Sequence, residues 1–209
     1  MSKFFKAKNK KNYKKGFTLV ELLVTISMFV VITGVVLVNS NSFDNSVLLR
    51  NFTYDVALTI KQAQTYGVNV NEDSKGEFTN AYGVYFDMIE SPTNFVIFSD
   101  FPLDLEGNSN RTDSVTTCNI DSECIKKYSM NKGTHIKNIC VSDKGEECNK
   151  DVSKLSIIFA RPSLEAKMYS FDNDIASAPY KYVKITLQSG DGATSSVIIT
   201  SVGQIYVKE

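Results

Sequence analysis

The chain has 209 residues, with 23 basic and 23 acidic side chains and a formal net charge of zero. This balance excludes a strongly basic protein that binds nucleic acid through its overall charge. The length allows about one domain of ordinary size in addition to any terminal segment.

Residues 1–16 are a basic leader that holds seven lysines and no acid and ends at Gly16. Taken alone, the lysines also fit a tract for nucleic-acid binding or nuclear targeting, but the apolar run that follows argues against this. An excess of lysine marks the cytoplasmic flank of a membrane segment. Without the leader, 16 basic and 23 acidic residues remain, a net charge of −7, so we do not expect nucleic acid as a partner.

Residues 17–38 form an apolar run of 22 residues, of which 16 are strongly apolar and one, Glu21, is charged. A helix of this length spans roughly 33 Å, enough to cross a hydrocarbon core of about 30 Å. A carboxylate costs about 2.5–3.5 kcal/mol at the bilayer centre and less near an edge, so we expect Glu21 to have a partner. A secretory signal peptide is the alternative, but its apolar core is shorter and a small-residue cleavage site follows it.

Residues 14–21, with the sequence KKGFTLVE, resemble the prepilin signature of type IV pilins and type II secretion pseudopilins. That signature combines a basic leader, a glycine, an apolar residue after it and a glutamate at the fifth following position. The resemblance implies that prepilin peptidase, a membrane-embedded enzyme, cuts between Gly16 and Phe17 on the cytoplasmic side and methylates the new N-terminus. It also implies a single-pass protein of the cytoplasmic membrane with an extracytoplasmic C-terminal head, which then enters a filament or the cell surface.

The resemblance also implies a role in assembly for Glu21. After cleavage, Phe17 carries a cationic amine at a helix N-terminus, where the helix dipole disfavours positive charge. A carboxylate about one turn along can neutralise such an amine. In the family the amine is generally that of a neighbouring subunit, so the implied partners are other pilin or pseudopilin subunits.

Four cysteines lie within one short stretch of the chain. An even, clustered set in an exported domain indicates disulfides. Three pairings exist, and the short polar loops favour Cys118–Cys124 and Cys140–Cys148. Zinc is the alternative, but the spacings are looser than in the usual zinc knuckle and an oxidising compartment disfavours it.

The apolar run continues into an amphipathic helix. Apolar residues recur there at three- and four-residue steps: Phe43, Val47 or Leu48, Phe52, Val56, Ile60, Ala63 and Tyr66. Gly67 is typical of a helix end, and the polar residues 39–42 predict a bend or local unwinding. The predicted organisation is a cleaved leader (1–16), a transmembrane half-helix (17–38), an amphipathic half-helix (39–67) and a β-rich head (68–209) with a disulfide-bonded insertion around 118–148.

After Gly67 the apolar residues alternate, which is typical of strands. The predicted strands are residues 83–86, 94–99, 125–129, 135–141, 155–159, 166–169, 182–187, 195–200 and 204–207. Hairpin turns are predicted at 189–193 and 202–203, and long surface loops at 71–80 and 100–117.

The fold class is therefore α+β, a long N-terminal helix packed on a mostly antiparallel head, which resembles the pilin architecture. Within that family, the half-helix and the closing hairpin (196–207) most resemble H-type minor pseudopilins and FimT-like minor pilins.

Little in the sequence indicates catalysis. The single histidine, His135, lies in a predicted strand on the face opposite Ile136, and oxidised cysteines provide no thiol nucleophile. The acid-rich segments 100–108 and 172–174 are alternatives for calcium but lack a recognisable ligand spacing, so no cofactor is predicted.

The predicted function is that of a structural minor pilin or pseudopilin in a type IV pilus-like or type II secretion filament. One alternative is a competence-type pilus subunit whose head binds DNA or a surface, which the net charge argues against. Another is a membrane-tethered extracellular enzyme, which a cleft gathering carboxylates around His135 would support.

Overall fold

The computed structural model describes residues 16–69, 81–100, 118, 124–145, 148–172, 175–177 and 179–208. Of residues 38–44, 100, 172, 175 and 176 it describes the backbone alone. The chain divides into two compact units, Met1–Asn41 and Ser42–Glu209.

The described residues contain one helix and eleven strands. The helix α1 spans Leu19–Val68 and contributes residues to both units. The strands are β1 (Ala81–Asp87), β2 (Asn94–Asp100), β3 (Cys124–Ser129), β4 (His135–Ser142), β5 (Lys150–Val152), β6 (Lys154–Phe159), β7 (Ala166–Asp172), β8 (Ile175–Ala176), β9 (Tyr182–Gln188), β10 (Thr194–Thr200) and β11 (Ile205–Lys208).

In the first unit, the part of α1 over Leu19–Leu37 is long and apolar enough to cross a membrane. All of its side chains are exposed, which suits a helix whose surroundings are lipid or other helices. The backbone remains helical through residues 39–42, so the predicted local unwinding is wrong. Asn and Ser are weak helix formers rather than helix breakers, so a helix can continue through them.

In the second unit, α1 buries one stripe of side chains. Leu49, Val56, Ile60 and Ala63 are buried, and each large aliphatic side chain among them contributes about 1.5–3 kcal/mol on burial. Of the predicted pair Val47 or Leu48, Val47 is 40% exposed and Leu48 is half-buried, while the unpredicted Leu49 is 5% exposed and belongs to the core. Leu49 lies seven residues before Val56, almost two full helical turns, and is therefore on the same face of the helix. Val47 lies nine residues before Val56 and is therefore on the opposite face.

Gly67 does not end the helix as predicted, since α1 continues to Val68. A Cβ atom at this position would lie well inside contact distance of the carbonyl oxygen of Phe159. The glycine therefore allows the last turn of α1 to approach β6 closely.

Two antiparallel sheets make up the head. The six-stranded sheet has the order β3-β2-β1-β6-β7-β8, and the five-stranded sheet has the order β11-β10-β9-β4-β5. The nine predicted strands and both hairpin turns are confirmed, with ends that differ by at most three residues. Strands β5 and β8 were not predicted, because three and two residues are too few to show alternation. The predicted loop 71–80 lies outside the described residues, as does the predicted loop 100–117 except for Asp100, which is the last residue of β2.

One core cluster contains side chains from α1 and from both sheets. From the six-stranded sheet come Val84, Phe86, Phe95, Ile97, Leu155, Ile157, Phe159 and Met168, and from the five-stranded sheet Ile136, Ile139, Val141, Val183, Ile185, Leu187, Val197 and Ile199. The opposite face of the six-stranded sheet carries a second buried cluster, which includes Tyr85, Val96 and Phe98. Strand β1 is consequently buried on both faces. The predicted α+β class is confirmed.

Gln64 joins the helix to two distant loops of the head. Its side-chain amide donates hydrogen bonds to the carbonyl oxygens of Leu164 and Gly203, each at 3.0 Å. Gly203 has a φ of +83° in the turn between β10 and β11, and a Cβ atom there would collide with the carbonyl oxygen of Leu164. The Gln64 side chain is only 2% exposed, so water has little access to its amide group, and these two carbonyl oxygens serve as its acceptors.

Two disulfides are present in the head. Cys118 is joined to Cys124 with their Cα atoms 5.3 Å apart, and Cys140 is joined to Cys148 with their Cα atoms 5.6 Å apart. The first closes a short loop before the edge strand β3, and the second connects β4 to the chain leading into β5.

Replacing Gln64 by leucine should destabilise the head by about 1–3 kcal/mol, because two hydrogen bonds to the head, each worth about 0.5–1.5 kcal/mol, are lost while the volume is nearly kept. Thr65→Val is the control, since Thr65 is exposed and bonds only within the helix, and should stay within about 0.5 kcal/mol of the unchanged chain. Urea unfolding of the full chain in detergent measures the free energy of unfolding of both variants. An equal loss of stability in the two variants would contradict the role given to Gln64.

Removing either disulfide through a double Cys→Ser change should lower the free energy of unfolding by about 2–3 kcal/mol, because each bridge closes a short loop in the unfolded chain. Peptide mapping under non-reducing conditions should recover Cys118 linked to Cys124 and Cys140 linked to Cys148. A peptide pair that links Cys118 to Cys140 would show that the connectivity is different.

Candidate functional site

The start of α1 is defined by hydrogen bonds to Thr18. The N–H of Glu21 donates to the Thr18 hydroxyl oxygen at 3.3 Å, and the N–H of Leu22 donates to the Thr18 carbonyl oxygen at 3.2 Å. The second bond closes the first helical turn, so Thr18 is the N-cap residue. A threonine at this position satisfies one of the N–H groups that have no partner within the helix.

Glu21 is the third residue after the cap, which makes residues 18–21 a Thr-x-x-Glu capping sequence. It is also the acidic residue of the first turn, where the helix dipole favours negative charge. The cap was not predicted from the sequence, in which Glu21 was interpreted only as a charge to be neutralised during assembly. The sequence signal for a helix cap was available: a threonine stands three residues before a glutamate at the start of an apolar run.

The predicted cleavage position lies immediately before this cap. Gly16 and Phe17 are outside the helix. Nothing lies within 4 Å of an ideal Cβ atom at Gly16, and Phe17 is 80% exposed. The peptide bond between them is therefore open to an enzyme. The predicted lysine leader, residues 1–15 before Gly16, lies outside the described residues.

The side chain of Glu21 is exposed, like its neighbours along the apolar part of the helix. Its main-chain N–H makes the bond to Thr18, which leaves the carboxylate for a separate interaction. The pairing of this carboxylate with an amine of a neighbouring chain remains a prediction.

The other candidate groups are placed in the head. His135 is half-buried at the start of β4, with its ring Nδ1 3.2 Å from the carbonyl oxygen of Gly133. Among the residues that the structure describes, no group of three or more His, Cys, Asp or Glu side chains is placed to hold a metal ion. The calcium candidates fall largely on undescribed residues, 101–108 and 173–174, and the expectation that no cofactor is bound stays a prediction.

Asp87, the most buried carboxylate described, organises a turn. Its Oδ1 accepts hydrogen bonds from the N–H groups of Ile89 (2.9 Å) and Glu90 (3.1 Å). Its Oδ2 lies 3.3 Å from the hydroxyl oxygen of Tyr85 and 3.8 Å from Nζ of Lys154. These three hydrogen bonds and one ion pair give the carboxylate the polar partners that a buried charge requires, which explains its burial at the end of β1.

Tyr180 is held in a similar polar setting. Burial raises the pKa of its phenol, but hydrogen bonds with Ser170 and Ser177 and the charge of Lys150 outweigh burial, so the pKa lies below its ordinary value. The hydroxyl oxygens of Tyr180 and Ser170 are 3.0 Å apart. The perturbed group thus belongs to a structural hydrogen-bond cluster that connects β7 with the chain before β9.

Residues 11–37 match the family model described as the prokaryotic N-terminal methylation motif. No curated protein and no solved structure matches the chain. The matched region contains the capped helix start, the exposed Gly16–Phe17 bond and the apolar helix. The motif supports a type IV pilin-like substrate of prepilin peptidase that is anchored in a membrane through its N-terminus. It indicates a structural protein and implies assembly with other pilin subunits.

Proposed function

We propose that the chain is a minor pilin or pseudopilin, cleaved between Gly16 and Phe17, N-methylated at Phe17 and assembled through α1 into a type IV pilus-like or type II secretion filament. The observation that carries the proposal is the methylation motif at residues 11–37, which ends in a capped apolar helix. In this function the head is extracytoplasmic, and the disulfides suit that compartment.

The apolar helix supports assembly because its side chains from Leu19 to Leu37 are exposed around its whole circumference. Such a surface is stable in lipid, and equally stable when it is packed against the corresponding helices of other subunits. The same segment therefore serves as a membrane anchor before assembly and as part of a filament core afterwards.

Glu21 supports the register of that assembly. Cleavage creates a positive amine on Phe17 at the end of a helix whose dipole already disfavours it. A carboxylate of a neighbouring subunit at this depth neutralises the amine and is neutralised in return. Because either charge left alone in an apolar medium costs several kcal/mol, the pair favours one axial position over others.

We further propose a minor rather than a major subunit, similar to H-type pseudopilins and FimT-like pilins. The support is the closing hairpin of β10 and β11, whose turn is held against the end of α1 by Gln64. Such a subunit packs, caps or primes the fibre through its shape.

Mass spectrometry of the exported protein tests the processing. The unchanged chain should begin at N-methyl-Phe17. Gly16→Val should keep its leader, because the signature requires glycine before the cut. Gly34→Val is the control, since both glycines have open space around them, and it should be processed. A mature chain that retains residues 1–16, or one released without the apolar helix, would contradict the proposal.

Glu21→Gln should be cleaved and methylated but should enter filaments at least about tenfold less than the unchanged chain, since about 1.4 kcal/mol corresponds to a factor of ten. Glutamine retains the Thr-x-x-Gln capping pattern, so the change removes the charge and keeps the helix start. Asp55→Asn, the same chemical change at an exposed position of the second half of α1, is the control. Quantitative immunoblotting of sheared filaments measures incorporation, and normal incorporation of Glu21→Gln would exclude charge pairing.

A further inference from the structure

We propose that Thr18 is a positioning residue for the cleavage: its side chain sets the first residue of the membrane helix and thereby holds the Gly16–Phe17 peptide bond in the non-helical chain before it. This inference rests on the proposed function, because it concerns the reaction that prepilin peptidase performs on this chain. Thr18 is not itself one of the residues joined by the bond that breaks.

The geometry at the helix start supports this role. The Thr18 side chain accepts the N–H of Glu21 at 3.3 Å while its main-chain carbonyl accepts the N–H of Leu22 at 3.2 Å. A residue that makes both bonds has non-helical backbone angles itself and starts the helix at the next residue. The chain before it, including Gly16 and Phe17, is accordingly outside the helix and exposed.

The residues on either side would leave the start of the helix poorly defined without Thr18. Upstream, Gly16 is a weak helix former, and the lysines of the leader carry charges that the helix dipole disfavours at this end. Downstream, the apolar residues are compatible with a start at several positions. In apolar surroundings an unpaired N–H group costs several kcal/mol. A single hydroxyl acceptor therefore strongly stabilises the helix that starts at Leu19 relative to helices that start at other residues.

A defined start matters for the reaction. Hydrolysis adds one water across the bond between the Gly16 carbonyl carbon and the Phe17 nitrogen, leaving a carboxylate on Gly16 and an amine on Phe17. A peptide bond in extended chain has its N–H and C=O groups available to an enzyme cleft, whereas those of a helical turn are engaged within the helix. Thr18 keeps this bond two residues away from the first helical residue, at a constant distance from the membrane helix.

Three substitutions of Thr18 distinguish the effect of helix capping on cleavage from the effect of side-chain shape. Thr18→Val keeps the shape of the side chain and removes the acceptor, Thr18→Asn changes the shape and restores a strong cap, and Thr18→Ser keeps the hydroxyl. Thr25→Val is the matched control, because the Thr25 hydroxyl bonds to the carbonyl of Leu22 inside the same helix and does not cap it. All are made in the full-length chain, reconstituted in detergent with prepilin peptidase.

For Thr18→Val we expect kcat/KM for leader release to fall about tenfold, mainly through KM, because fewer molecules present the bond in the competent conformation. Thr18→Asn, Thr18→Ser and Thr25→Val should stay within about threefold of the unchanged chain. Amide hydrogen exchange at Glu21 should accelerate in Thr18→Val alone, which reports on the helix start independently of the enzyme.

Two outcomes would overturn the inference while leaving the proposed function intact. In one, Thr18→Val is cleaved as fast as the unchanged chain. In the other, Thr18→Asn is as slow as Thr18→Val although its exchange at Glu21 is normal, which would mean that the enzyme reads the side chain directly. If the unchanged chain is not cleaved at all, the proposed function fails, and this inference fails with it.

Discussion

A helix that begins within the hydrocarbon region of a membrane has no water to satisfy its first N–H groups, so an acceptor from its own chain stabilises the start of the helix. In α1 the hydroxyl of Thr18 does this for Glu21. The rest of the N-terminal site is consistent with that bond: the helix starts at Leu19, and Gly16 and Phe17 before it are outside the helix and exposed.

The two roles assigned to Glu21 use different atoms and are therefore compatible. The cap uses the main-chain N–H, whereas charge pairing uses the carboxylate at the far end of the side chain. In an isolated helix the helix dipole stabilises the negative charge of Glu21 in the first turn. A positively charged N-terminus placed next to this carboxylate stabilises it further. One residue thus contributes both to the precursor and to the proposed assembled form.

The second half of α1 is held in the head by polar as well as apolar groups. Thr53, Thr59 and Gln64 are buried within its apolar stripe. The hydroxyl of Thr53 bonds to the Leu49 carbonyl at 2.7 Å, within the helix, while Gln64 bonds to two loops more than 90 residues away in sequence. Buried polar groups with specific partners restrict how the helix sits on the sheets more narrowly than apolar packing does.

The apolar helix, the methylation motif, the nine longer strands and the α+β class were predictable from the sequence, because each of these depends on local periodicity or on a short contiguous motif. The sequence did not determine that Leu49 rather than Val47 is buried, that Gly67 serves close packing rather than helix termination, or that β5 and β8 exist. Nor did it reveal the partners of Gln64 and Asp87. Those features were decided only by the tertiary structure, since a close approach of Phe159 or a carbonyl group at Gly203 comes from chain segments that are distant in sequence and leave no local pattern.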